Sequence, residues 1–118
     1  MRLVLDLPPR ELSPNFRSHW AKKAKAVKYY REQAWARARI EAPRPFLEWK
    51  RATLRTTWYL PDARRRDPDN LMASLKAAID GLVDARVLAD DNGLIIHPPV
   101  LAIDRQWARV VLDIEEAA

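Results

Sequence analysis

One stretch limits the folds open to this chain more than any other. From Ala52 to Leu60, the side chains of Ala52, Leu54, Thr56, Trp58 and Leu60 alternate with Thr53, Arg55, Thr57 and Tyr59. A period of two sends successive side chains to opposite sides of an extended backbone. The stretch therefore predicts a strand with one largely apolar face that another layer must cover. Pro61-Asp62 ends it. The same alternation recurs at Leu3, Leu5 and Leu7, before Pro8-Pro9, and at Ala108, Val110, Leu112 and Ile114 within Gln106–Ile114. Leu94 to Ile96 predicts a shorter strand, stopped by Pro98-Pro99.

Helices supply the cover. From Ser18 to Ile40 there is neither proline nor glycine; Ser18 is placed as an N-cap, and Pro43 and Pro45 close the segment. Trp20, Ala24, Val27, Tyr30, Ala34 and Ala38 fall at helical spacing as an apolar stripe. Lys22, Lys23, Lys25, Lys28, Arg31, Arg37 and Arg39 make much of the other face basic. This reads as an ordinary solvated face or as a helix laid along a phosphate backbone. A second helix is predicted from about Pro68 to Ala85, with Leu71, Leu75, Ala78 and Leu82 as its buried stripe, flanked by Met72, Ile79 and Val83. The predicted order is β-α-β-α-β-β in a single domain spanning residues 1–118, an α+β fold with a small mixed or antiparallel sheet packed by two main helices. Trp20 and Trp58 are expected in the core, with Trp35 and Trp49 at its rim.

Composition removes several function classes. The absence of cysteine rules out a Cys-based zinc site or a Cys nucleophile. Two glycines, Gly81 and Gly93, rule out a Gly-rich phosphate loop. No apolar run is long enough to predict a membrane span. Met1–Pro9 lacks the features of a signal peptide, so a cytoplasmic location is expected. The formal net charge of +5 and pI of about 9.9 favour phosphate-rich partners.

Two acidic clusters are candidates for chemistry. In Arg64-Arg65-Arg66-Asp67-Pro68-Asp69-Asn70, Asp67 and Asp69 are two apart and would share a side if extended. Magnesium usually takes one or two carboxylates together with water and phosphate oxygens. Such an ion would polarise a phosphodiester and help generate the attacking hydroxide, while the arginines hold the phosphate. The structural alternative is helix capping, with Asp67 as N-cap, Pro68 at N1 and Asp69 complementing the helix dipole. The second cluster is Asp90-Asp91-Asn92-Gly93, which also reads as a polar turn or hairpin with positive φ at Asn-Gly. Val87-Leu88-Ala89 is expected to return from the second helix and bring Asp90 or Asp91 beside Asp67 and Asp69. His19 and His97 are isolated and are not read as ligands; Asp104 and Asp113 are expected at the surface.

Arg65-Arg66-Asp67-Pro68-Asp69-Asn70-Leu71, then Ala78-Ile79-Asp80-Gly81-Leu82-Val83, then Asp90-Asp91, resembles the core of the RusA family of crossover junction endodeoxyribonucleases, often carried by phages and prophages. Pro14-Asn15, His19-Trp20 and the basic helix extend the resemblance over most of the chain. It implies a homodimer that binds four-way (Holliday) DNA junctions and nicks opposing strands symmetrically in recombination and repair, using magnesium, with manganese as a substitute. The three family aspartates match Asp67, Asp69 and Asp91, and Asp90 is a neighbouring acid able to exchange with Asp91. Arg64, Arg65, Arg66, Lys22, Lys25 and Lys28 would position the DNA backbone. The family pattern has a lysine where this chain has Ala73; Lys76 is the nearest lysine and the candidate replacement, with an i,i+4 pair to Asp80 as its structural alternative. The rival readings are a non-catalytic nucleic-acid-binding module and a protein whose basic face meets an acidic partner.

Overall fold

The computed structural model describes all residues except 18 and 43–46. The N-cap placed at Ser18 and the helix stop placed at Pro43 and Pro45 thus lie outside the described residues. Five strands form one mixed sheet: β1 (Arg2–Leu5), β2 (Ala52–Leu60), β3 (Leu94–Ile96), β4 (Val100–Ile103) and β5 (Arg109–Glu116). β2 is central. Along one side it pairs antiparallel with β5, which pairs antiparallel with β1. Along its other side it pairs in parallel, first with β3 at Ala52–Leu54 and then with β4 at Thr57–Leu60. The alternation in β2 holds throughout: Ala52, Leu54, Thr56, Trp58 and Leu60 are all buried.

The strand β4 is absent from the predicted order, because Pro98-Pro99 reads as a stop. In the fold it is an interruption. His97 N still donates to Leu54 O at 3.0 Å, the two prolines have no N–H to give, and pairing resumes at Val100. β3 and β4 are thus two halves of one edge.

α1 (Trp20–Glu41) and α3 (Lys76–Asp84) pack together. The described N-cap of α1 is His19, whose side chain accepts from Ala21 N. Tyr30, Ala34 and Ala38 are buried as the stripe predicts. Trp20 is a correction, being 76% exposed, and Ala24 is exposed too. The buried part of α1 begins only at Tyr30, so the first turns project past the core. There Tyr30 Oη donates to Asp6 O at 2.8 Å, while the Asp6 carboxylate accepts from Gln33 Nε2 (2.8 Å) and Tyr29 Oη (2.9 Å). These bonds tie the exit of β1 to α1.

The second predicted helix is two. α2 (Pro68–Ala73) stops before α3 starts. Ser74 Oγ donates to Leu71 O at 2.6 Å and Leu75 N bonds back to Met72 O. A serine hydroxyl competing for a helical carbonyl bends the backbone, which periodicity does not reveal. α3 ends in a Schellman motif: Arg86 N bonds to Val83 O and Val87 N to Leu82 O, with Arg86 at φ 62°. The chain then runs beside Trp49, with Glu48 at φ 44° facing Arg86 through a 2.8 Å ion pair. Among the described residues the left-handed ones are therefore Glu48 and Arg86, not the expected Asn92 or Gly93, and Asp91–Gly93 forms a 3-10 turn rather than a hairpin. Gly93 is needed for a different reason, because a Cβ there would run into the carbonyl of Lys50.

Gly81 is where α3 meets α1. A Cβ at this position would collide with the carbonyl oxygen of Arg31 and press on Ala34. Gly81→Val is expected to lower unfolding free energy by about 1–3 kcal/mol, read as a lower urea midpoint at unchanged slope. An unaltered midpoint would show that the two helices separate without cost.

Candidate functional site

Asp67 and Asp69 lie at the start of α2. Asp67 is the N-cap, with Oδ1 accepting from Asp69 N at 2.9 Å and Asn70 N at 3.4 Å, and Pro68 occupies the first turn. The capping role read from the sequence is therefore present. Asp67 and Asp69 do not lie on one extended segment, because Asp67 is extended while Asp69 is already helical. Both side chains are exposed, and the Asp69 carboxylate makes no hydrogen bond or ion pair to a described residue.

The preceding arginines are organised by Asp62, a residue the sequence did not single out. Asp62 Oδ1 accepts from Arg64 N (3.0 Å), from Arg64 Nε (3.3 Å) and from Arg66 Nη2 (2.9 Å). Arg64's backbone N–H, first, and the Arg66 and Arg64 guanidiniums hold the Asp62 carboxyl below the usual carboxylate range. Arg66 also donates to the carbonyls of Asp62 and Arg64, each at 2.9 Å, and its side chain is only 16% exposed. Arg66 is thereby fixed in place, whereas Arg64 and Arg65 project into solvent. The Pro61-Asp62 turn, with a carboxylate reaching the backbone two residues on, was the available sequence signal.

Lys76 opens α3 and joins the second cluster to the helices. Its ammonium donates to Asp80 Oδ1 at 2.6 Å and to Asp91 Oδ2 at 2.7 Å. The expected i,i+4 pair is present, and so is a contact across 15 positions of sequence. Asp90 caps the following turn through Asp91 N at 2.7 Å. The Asp91 carboxyl titrates below its ordinary range, chiefly because Lys76 donates to it; the Lys76 ammonium is correspondingly raised, first by Asp80 and then by Asp91.

Among the described residues, no three His, Asp or Glu side chains gather closely enough to hold one ion together. Lys22, Lys25 and Lys28 are exposed on α1, but the α1 lysine that borders the site is Lys23, which shares a groove of about 280 Å³ with Lys76, Asp80 and Ala73. A larger cavity, about 390 Å³, opens at the C-terminal end of β2 and is lined in part by Arg66, Asp67 and Asn70. Trp35 and Trp49 match a rim position, half-exposed and half-buried respectively. Asp104 and Asp113 pair with Arg109 and Arg2 and are partly exposed.

The Lys76–Asp91 pair has a definite pH window. Asp91 is lowered, so its contribution is complete above the unfolded value of about 3.9 and is lost as pH falls through the folded one; Lys76 is raised, so its contribution is complete below about 10.4 and is lost as pH rises through its folded value. In Lys76→Met the Asp91 midpoint, followed by carboxyl-carbon NMR, is expected to move up toward the ordinary value. A midpoint that stays put would assign the lowering to Asp90 instead.

No family model matches the chain. A protein of Xylella fastidiosa (strain Temecula1 / ATCC 700964), described as an uncharacterized protein, is 33% identical to it over 120 residues, covering 95% of this chain and 74% of that protein. The chain belongs to the same family as that Xylella protein.

Proposed function

We propose that this protein is a magnesium-dependent endodeoxyribonuclease of the RusA type, cytoplasmic, resolving four-way DNA junctions by paired symmetric nicking in recombination and repair. The observation that carries the reading is the contact of Asp91 with Lys76, which ties the Asp90-Asp91 cluster to the start of α3, the helix that directly follows α2 with Asp67 and Asp69 at its beginning. These are the segments whose order along the chain resembles that family.

The donor set suits a hard cation. Among the described residues Asp69 has no side-chain partner, and Asp67 uses one oxygen for its cap and leaves the other without one. One or two carboxylates, water and phosphate oxygens are the usual shell of magnesium. When bound, the ion would polarise the phosphodiester and favour ionisation of the attacking water. The remaining work falls to the chain itself. Arg66, held rigid by Asp62, offers a pre-oriented cation; Arg64 and Arg65 reach out to the backbone without reading sequence. Lys76 takes the part of the lysine expected at Ala73, neutralising charge that develops at the phosphate. Asp90 and Asp91 complete the acidic side.

A two-fold dimer presents two sites to two matching strands. The β3–β4 edge supports one: Ile95, Ile96, Val100, Leu101 and Ile103 are exposed along it, and an apolar open edge favours association. The non-catalytic binding module is the second reading, favoured by the cap at Asp67 and the ion pairs that already occupy Lys76.

Cleavage of a synthetic four-way junction against linear duplex, with magnesium, separates the two. Wild type is expected to nick the junction in symmetric pairs and Asp69→Asn to be inactive; tight binding without nicking by wild type would support the module. Lys76→Ala is expected to lower kcat by about 10²-fold, with partial recovery when Ala73→Lys is added; full activity in Lys76→Ala would remove Lys76 from the mechanism. In light scattering after size exclusion, Ile103→Lys is expected to shift a dimer to monomer, and a wild type that runs as a monomer would refute the dimer.

A further inference from the structure

We infer that the cavity at the C-terminal end of β2 receives a single unstacked nucleotide of the DNA, next to the phosphate that is cut. This rests on the nuclease reading above and adds to it the part of the substrate that the protein selects.

The cavity, about 390 Å³, lies between the loop after β1, the end of β2 and the first turns of α2. It is near the lower end of the roughly 300–1,000 Å³ typical of small-ligand sites, which leaves room for one nucleotide and not for a stacked pair. Pro8, Pro9, Leu60, Pro61 and Leu71 give it apolar walls over the buried ring of Trp58. Arg10, Arg64 and Arg66 supply positive charge from the same lining. Asn70 adds a carboxamide that is half-buried and makes no side-chain hydrogen bond to a described residue.

This combination matches the parts of a nucleotide. A base has apolar faces and a polar edge, and its phosphate is an anion. The walls suit the faces, the guanidiniums suit the phosphate, and a carboxamide both donates to and accepts from a base edge. The site is also stiff, with three prolines in its lining and Arg66 fixed by Asp62 and two carbonyls, so little order is lost on binding. Asp67 shares the lining, so the phosphate of a seated nucleotide would lie near this one of the proposed cation ligands.

A base inside a regular duplex must leave its stack to enter, at a cost of a few kcal/mol that is smallest where pairing is already disturbed. The crossover of a four-way junction is such a place. Preference for branched DNA then arises at this cavity as well as from dimer geometry.

The test is fluorescence of 2-aminopurine placed at successive positions through the crossover of a junction, with EDTA present so that no strand is cut. Wild type is expected to brighten one position clearly above its neighbours as that base unstacks. An abasic residue at that position is expected to weaken binding about 5- to 100-fold. Ser13 lines the cavity beside Pro9, and Ser13→Trp and Pro9→Trp, each placing bulk there, are expected to abolish the brightening and to weaken junction binding by no more than the abasic residue does; Asn70→Ala is expected to level any preference among bases at that position. Tight junction binding with no bright position, or brightening that survives both filling variants, overturns the cavity proposal and leaves the nuclease reading standing. Failure to bind any DNA overturns both.

Discussion

The close approach of α3 to α1 at Gly81 is the constraint on which the candidate site depends. With no Cβ at that position, the backbone of α3 lies against the Arg31 carbonyl and Ala34. Both helices carry small buried residues, Ala34 and Ala38 on α1 and Ala77 and Ala78 on α3. Beyond the contact, Arg31 grips Asp84 through two bonds of 2.5 and 2.8 Å, which keep the Asp84 carboxyl below its ordinary range. Once α3 is set in this way, Lys76 at its start and the Schellman turn at its end are set too. That turn sends Val87–Ala89 beside Trp49, so that Asp90 and Asp91 arrive within reach of Lys76.

The sheet serves as the base for this arrangement and leaves one edge open. β2 is enclosed by β5 on one side, but its other side is shared by two short strands with prolines between them. Prolines on an edge strand discourage open-ended pairing. They interrupt the run of exposed apolar side chains here without removing it. The edge also borders Arg64 and Arg66 through a shallow hollow that includes Leu101 and Ile103, so the apolar edge and the arginine segment adjoin.

Charge in the site is arranged in two ways. Arg66 is nearly enclosed and has its partners chosen for it, so its guanidinium is held in place by Asp62 and two backbone carbonyls. Lys76 is more exposed and divides its donors between Asp80 and Asp91. Exposed pairs of this kind are weak, which leaves the lysine free to exchange a carboxylate for another anion. The chain thus keeps exposed aspartates while its formal net charge stays at +5.

Much of the fold was legible in the sequence, because burial on a strand or helix repeats with a short local period. The alternation in β2, the buried face of β5, the Tyr30–Ala34–Ala38 stripe and the cap at Asp67 all follow from neighbours within a few residues. The exceptions have equally physical causes. Trp20 satisfies the helical spacing but lies beyond the packed length of α1, and a serine hydroxyl splits the second helix where the apolar pattern is unbroken. By itself, then, the sequence determined the types of element, their apolar faces and the chemistry available at each position. Only the tertiary structure decided which of those positions meet. It placed Asp62 under Arg66, Lys23 rather than its neighbours beside Lys76, and Asp91 against that same ammonium. The reason is that such meetings depend on how closely two helices approach and where a chain turns back, and in this protein both were settled by backbone contacts at Gly81, Arg86 and Gly93 that leave no periodic trace.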